Sequence, residues 1–265
     1  MKVLIIDLSY YNFYRYYATI QWYKCSHPED NFEPGYDWSI NVIFMEKFKK
    51  MYLTNITKFK KKFKPDRIIL ARDCPRKEIW RMKLYKGYKG TREETFKKNK
   101  FMGGPVFQFS YNDILPELLS DTCKAYKVDH LEGDDLVYLS SQKILSTNPD
   151  AIISIISSDH DLLQIKNGSE NINLYKANLK CYSDKSYGSA DLDCFAKAIL
   201  GDNSDNIPRV FNRCGKKTML KLYEDKSLLE EKFKKEEGSK ERYALNRQLV
   251  DFSFIPKELQ MKFSI

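Results

Sequence analysis

Residues 152–161 read IISIISSDHD: an isoleucine-rich run passes through two serines directly into a pair of acids. An apolar run this short suits a strand buried on both faces better than a core helix. The pattern recurs at residues 3–6 (VLII), which end at Asp7, and at residues 67–71 (RIILA), which end near Asp73. Long helical segments separate the three runs. That alternation predicts an α/β fold, a parallel twisted sheet with helices on both faces built from βαβ units. Ligands of such sheets lie beyond the carboxyl ends of the strands. Asp7, Asp73 and Asp159 are therefore expected to share one location.

The helices that complete this pattern are also readable. An aromatic helix follows Asp7 (Tyr10, Tyr11, Phe13, Tyr14, Tyr16, Tyr17), and residues 39–62 and 112–126 are read as helices covering the sheet. Gly133 opens another through Leu136, Leu139 and Ile144, which places Asp134 and Asp135 in a first turn whose dipole tolerates negative charge. Ser189 caps a further helix running to Leu200, just before Asp202 and Asp205.

The 265 residues carry 45 lysines and arginines against 36 acids, a net charge of +9 that favours a polyanionic partner, nucleic acid before membrane. Residues 47–64 hold eight lysines and no acid, and residues 76–100 hold ten cations against three acids. The acids gather instead in EGDD (132–135), SSDHD (157–161) and GDNSD (201–205). Carboxylates set this close repel one another unless a cation neutralises them, and a divalent metal is the economical cation. Six cysteines stand singly, with no CxxC pair, so neither a disulfide framework nor structural zinc is expected. His27, His130 and His160 share no metal-ligand spacing, and His160 is expected to point away from its flanking acids. Asp7 interrupts the first apolar stretch and no run approaches ~20 residues, which predicts a soluble intracellular protein without signal peptide or membrane contact.

Four segments in order, RDCPRKEIWRMKLYKGYKGTR (72–92), EGDDL (132–136), IISSDHDLLQI (155–165) and GDNSDNIP (201–208), resemble the motifs of the 5′ nuclease, or flap endonuclease, family. GSADLDCFAKAILGDNSDN (188–206) and RYALNRQLVDFSFIP (242–256) are similar to its T-even phage ribonuclease H branch. The resemblance implies a PIN-like core over residues 1–185, with residues 76–105 as a basic helical arch or cap, and a C-terminal helical duplex-binding region over residues 186–265. It implies two Mg²⁺ or Mn²⁺ ions served by Asp7, Asp73, Glu132, Asp134, Asp135, Asp159, Asp161, Asp202 and Asp205. Asp7, Asp73, Asp135, Asp159 and Asp161 are assigned to the tighter ion and its close support, the remainder to the second ion and its waters. The family's E-A-D-D is E-G-D-D here, which keeps the carboxylates.

Lys89 and Arg92 match the family's basic pair on a helix overhanging the site and are expected to clamp the scissile phosphate, with Arg81 as a further catalytic cation. Lys83 and Lys86 are expected at neighbouring phosphates and Tyr88 against a base. CGKKTMLKLY (214–223) resembles the helix-three-turn-helix, in which Gly215, Lys216, Lys217 and Thr218 would hold a duplex phosphate. That motif carries K⁺ in the family, but Arg209 and Arg213 replace two of its glycines here, which places the K⁺ site in doubt. The implied function is a monomeric, structure-selective 5′ to 3′ exonuclease and flap endonuclease that removes RNA primers and 5′ flaps during phage or viral replication in the host cytoplasm. Its substrates would be branched duplex DNA and RNA/DNA hybrids, and its partners a replication single-strand-binding protein or clamp. Two readings compete: a PIN-type endoribonuclease, which would prefer unstructured RNA, and an inactive module that binds branched DNA without cutting it.

Overall fold

The computed structural model describes residues 1–166 and 171–265. At its centre a five-stranded parallel sheet runs in the order β3-β2-β1-β4-β5. Its strands are β1 (Lys2–Asp7), β2 (Arg67–Ala71), β3 (Cys123–Tyr126), β4 (Ile152–Ile156) and β5 (Ile172–Tyr175). The chain order turns back between β1 and β4, so the crevice that binds ligands in open α/β sheets opens at the ends of those two strands. Asp7 closes β1, and Asp159 lies three residues beyond β4.

Successive residues of β1 face opposite layers, as the pleat requires. Leu4 and Ile6 meet Tyr11 of α1 (Leu8–Ser26) and Phe48, Tyr52 and Phe59 of α2 (Val42–Phe63). The basic segment then forms α3 (Arg81–Leu84) and α4 (Arg92–Lys98). After it come α5 (Gly104–Phe109), a π-helical turn and α6 (Leu115–Leu118). On the other layer Val3 and Ile5 join Leu136, Val137 and Ile144 of α7 (Gly133–Thr147).

The C-terminal helices are α8 (Ala190–Leu200), α9 (Lys216–Glu224), α10 (Lys226–Lys235), α11 (Ser239–Val250) and α12 (Lys257–Lys262). Phe195, Ile199, Phe211, Met219 and Phe233 build a small separate core among them. The end of the chain leaves that core: Phe252, Ile255 and Leu259 pack in the α7 layer. Among the described residues, no helix is long and apolar enough to cross a membrane.

One expected element differs and one strand was not expected. The helix read over residues 112–126 ends at Leu118, and its tail is strand β3, whose CKAY sequence has too little apolar alternation to announce itself. The four-residue strand β5 has no counterpart among the expectations. The aromatic helix α1 buries Tyr11, Tyr16 and Tyr23 but leaves Tyr17 exposed.

Candidate active site

Asp7 is fixed by two local demands. It caps α1, accepting from the Tyr10 N–H at 3.1 Å, and it accepts from the Ser157 hydroxyl beyond β4 at 2.9 Å. Asp73 accepts from the Ser9 hydroxyl and from the Gly133 N–H at the start of α7. A Cβ at position 133 would stand 3.0 Å from Asp73 Oδ1, so glycine lets that carboxylate sit a few tenths of an ångström closer than alanine would. Asp159 accepts from the Asp161 N–H at 2.9 Å. Together with Asp134, these carboxylates line a cavity of about 260 Å³ that Lys89 and Arg92 also border.

Among the described residues, Asp7, Asp73, Asp134 and Asp159 have no ion pair within 4 Å, although they share one cavity. Burial, with Asp73 alongside, pushes the Asp7 carboxyl up to about 7. Burial, Asp159 and Asp7 raise Asp134 well above the usual carboxylate range. Among the described residues, no three carboxylate, histidine or cysteine groups already form a metal cage. The donors are nonetheless hard oxygens crowded without a counter-charge, the chemistry that Mg²⁺ or Mn²⁺ satisfies while keeping several waters.

The other five acids already have cations. Arg81 is 3% exposed and bridges Asp135 at 2.8 Å and Glu132 at 3.0 Å. Asp135 also accepts from Trp80 Nε1 at 3.0 Å. Glu132 receives Lys89, Arg81 and the Tyr88 hydroxyl. Burial would raise its pKa, but Lys89 and Arg81 outweigh that and hold it at about 2. Asp205 meets Arg92 at 2.7 Å, and Lys197 bridges Asp161 and Asp202.

These contacts revise several expected roles. Asp135 faces Trp80 and Arg81, so it is Asp134, its neighbour in the same helical turn, that lines the cavity. Arg81 is buried, pairs with Asp135 and Glu132, and unlike Lys89 and Arg92 is not in the cavity lining; its bonds tie α3 to the start of α7. The 3%-exposed Tyr88 presents no face to a base. Lys89 precedes α4 in a left-handed conformation, φ 53°, with its N–H on the Asp205 carbonyl, so only Arg92 of the basic pair is on a helix. Segment 86–105 rests against α1, Phe96 and Phe101 packing on Phe13.

Lys83 and Lys86 are exposed, as are Lys216 and Lys217 at the start of α9, where Gly215 leaves the first amides without a side-chain cap; Thr218 is half-buried. Gly201, at φ 71°, closes α8 against the Ile207 carbonyl so tightly that a Cβ would meet it at 2.5 Å, and the pinched loop beyond it presents Asp202 and Asp205. The exposed His160 ring packs on Tyr182 at 5.3 Å.

Sequence reasoning missed Lys197; its signal was a lone cation on α8, about one turn ahead of GDNSD. Ser157, also missed, is the hydroxyl that links β4 to Asp7. A larger cavity of about 520 Å³ lies among α7, α8 and α11, but Asp7, Asp73, Asp134 and Asp159 are not in its lining. Uncompensated charge, not volume, marks the site.

Residues 2–192 match the family model described as the 5′-3′ exonuclease, N-terminal resolvase-like domain. DNA polymerase I of Lactococcus lactis subsp. lactis (strain IL1403) is 23% identical over 237 residues, 86% of this chain and 24% of that protein. The chain thus spans about a quarter of the length of such polymerase relatives. Ribonuclease H of Enterobacteria phage T4 is 26% identical over 212 residues, 73% of this chain and 67% of that one. The fold matches the bacteriophage T5 D15 protein co-crystallised with metal ions, with a TM-score of 0.69 at 18% identity, covering 99% of this chain and 96% of that one. The T5 D15 flap endonuclease in a pseudo-enzyme-product complex with DNA and metal ions gives a TM-score of 0.70 at 17% identity over the same coverage.

Proposed function

The chain belongs to the 5′-3′ exonuclease family with the N-terminal resolvase-like domain, and from that premise we propose a metal-dependent, structure-selective 5′ nuclease. In this reading it acts as a 5′ to 3′ exonuclease and flap endonuclease on branched DNA and RNA/DNA hybrids, removing primers and flaps in DNA replication. The likeness to phage T4 ribonuclease H supports a phage setting. Residues 1–185 form the catalytic unit and residues 186–265 the duplex-binding unit, while the return of Phe252 and Leu259 to the α7 layer ties the two together. A single-strand-binding protein or clamp is its proposed replication partner.

One observation carries the proposal: Asp7, Asp73, Asp134 and Asp159 surround one cavity without an ion pair of their own, and two cations paired to other acids stand on its rim. These four carboxylates would hold one Mg²⁺ or Mn²⁺, and Asp161 and Asp202 would serve a second. Bound there, the ions supply an activated water for in-line attack on phosphorus and a Lewis acid at the leaving oxygen. Lys89 and Arg92 offset the acids' repulsion of the incoming phosphate and meet charge developing on its oxygens. Glu132 and Asp205 hold both cations at that rim, and Arg81 fixes the helix start that carries Asp134. Hydrolysis leaves a 5′-phosphate and a 3′-hydroxyl. Beyond the cavity, Lys83, Lys86, Lys216 and Lys217 contact backbone phosphates, and the open amides after Gly215 face another. Arg209 and Arg213 are exposed cations beside that motif, and their charge takes the place of a bound K⁺.

The test is a 5′-labelled flap duplex incubated with Mg²⁺, with EDTA, and with Asp134→Asn or Asp159→Asn. Cleavage is expected only in wild-type protein with metal. Undiminished cutting in EDTA, or by natively folded Asp134→Asn, would refute the assignment.

A further inference from the structure

Lys197 is placed by α8 between the two carboxylates left for a second ion. Its ammonium lies 2.6 Å from Asp161 Oδ1 and in direct contact with Asp202 Oδ2, on a side chain only 16% exposed. Asp161 Oδ1 is buried and, despite that ion contact, accepts no well-aligned hydrogen bond. The pair is neutralised, and while Asp202 Oδ1 accepts from the Ser204 N–H at 2.6 Å and the Ser204 hydroxyl at 2.7 Å, Asp161 Oδ1 is left without an aligned donor. A cation that took ligands from several directions would suit these oxygens better.

The lysine also has somewhere to go. A cavity of about 270 Å³ adjoins it, lined by His160, Tyr187, Asp193, Lys197 and Asp202. Asp193 sits one helical turn earlier on α8, the i, i+4 order in which an acid and a lysine attract along a helix. Its carboxylate accepts from the Ser186 hydroxyl at 2.5 Å and the Tyr187 N–H at 2.7 Å, and a carboxylate has about four acceptor sites.

Accepting the metal reading of the site, we propose that Lys197 is a tethered counter-ion for the second metal position. It holds Asp161 and Asp202 together in the metal-free protein and swings to Asp193 when a divalent cation takes its place. The affinity of the second position is then set by how often the lysine is out. If that state makes up ~1–10% of the metal-free protein, the apparent dissociation constant is ~10- to 100-fold weaker than the intrinsic one. The Asp161 N–H on Asp159 Oδ1 joins this position to the main cavity.

The experiment is Mn²⁺ binding followed by electron paramagnetic resonance and calorimetry on wild-type protein, Lys197→Met, Lys197→Arg and Asp193→Asn, without nucleic acid. Lys197→Met should tighten the weaker site ~10-fold or more and move the tighter site less than ~3-fold. Lys197→Arg, which keeps the charge, should leave the weaker site weak. Asp193→Asn removes the lysine's alternative partner without touching the acids that bind, and should weaken the second site further. Two Mn²⁺ sites whose affinity ratio is the same in wild type and Lys197→Met would overturn the proposal while leaving the metal reading intact. If wild-type protein bound no Mn²⁺, both would fall. Should Lys197→Met fold only with metal present, Asp193→Asn decides alone: an unchanged second site in that variant would overturn the proposal.

Discussion

Neutralising Asp7 should stabilise the metal-free protein above about pH 4, by an amount that grows until about pH 7 and then levels off. In the unfolded chain Asp7 ionises near 3.8, whereas in the fold burial and Asp73 hold its proton until about pH 7. The raised value means that the fold keeps a proton that the unfolded chain has released. Stability is therefore full below about pH 4 and declines as pH climbs through 7. Three units at 1.36 kcal/mol each cost the fold at most about 4 kcal/mol, of which roughly 2–3 kcal/mol falls between pH 5 and 8. For a chain of this length that is ~5 °C in melting temperature. Asp7→Asn keeps an oxygen to cap α1 and an amide for Ser157, but cannot ionise. Scanning calorimetry in EDTA should show the variant gaining ~5 °C on wild type between pH 5 and pH 8. Millimolar Mg²⁺ at pH 8 should raise wild type far more than the variant. A difference between the two proteins that is the same at both pH values would refute the crowded-acid account.

Arg81→Met leaves Asp135 and Glu132 partly uncompensated in a buried setting, so urea unfolding should show a loss of roughly 3–5 kcal/mol; a loss below about 1 kcal/mol would deny the pairing its structural role. Tyr88→Phe removes a buried hydroxyl from Glu132 and Asp205 and should cost about 1–3 kcal/mol while leaving flap-duplex affinity within about twofold, whereas a tenfold loss of affinity would return the ring to base stacking. Replacing Lys216 and Lys217 by Gln should flatten the plot of log K against log salt by about 0.9 for each duplex phosphate no longer neutralised, and an unchanged slope would remove α9 from the interface.

Strands β1, β2 and β4 were readable because each is buried on both faces and therefore nearly continuous in isoleucine, leucine and valine. Strands β3 and β5 are the sheet's edges, CKAY and INLY, and a half-covered edge needs no such run. The convergence of Asp7, Asp73 and Asp159 followed from strand ends alone. The choice between Asp134 and Asp135 did not, because adjacent helical residues point ~100° apart and charge is blind to direction. The clue was Leu139, one turn after Asp135 and buried, which marks that face as the inward one. Lys89, Arg81 and Lys197 were hardest to place. A cation's burial depends on which distant acid meets it, and Arg81 and Asp135 lie 54 positions apart in the chain.

The bond from Trp80 Nε1 to Asp135 gives the molecule an optical probe of its own. That indole is 4% exposed and touches the turn carrying Asp134, while Trp22 and Trp38 lie in the opposite layer. With those two replaced by phenylalanine, the emission of a single native fluorophore would follow events at the acidic crevice in real time, with no dye attached and nothing added to the oligonucleotide.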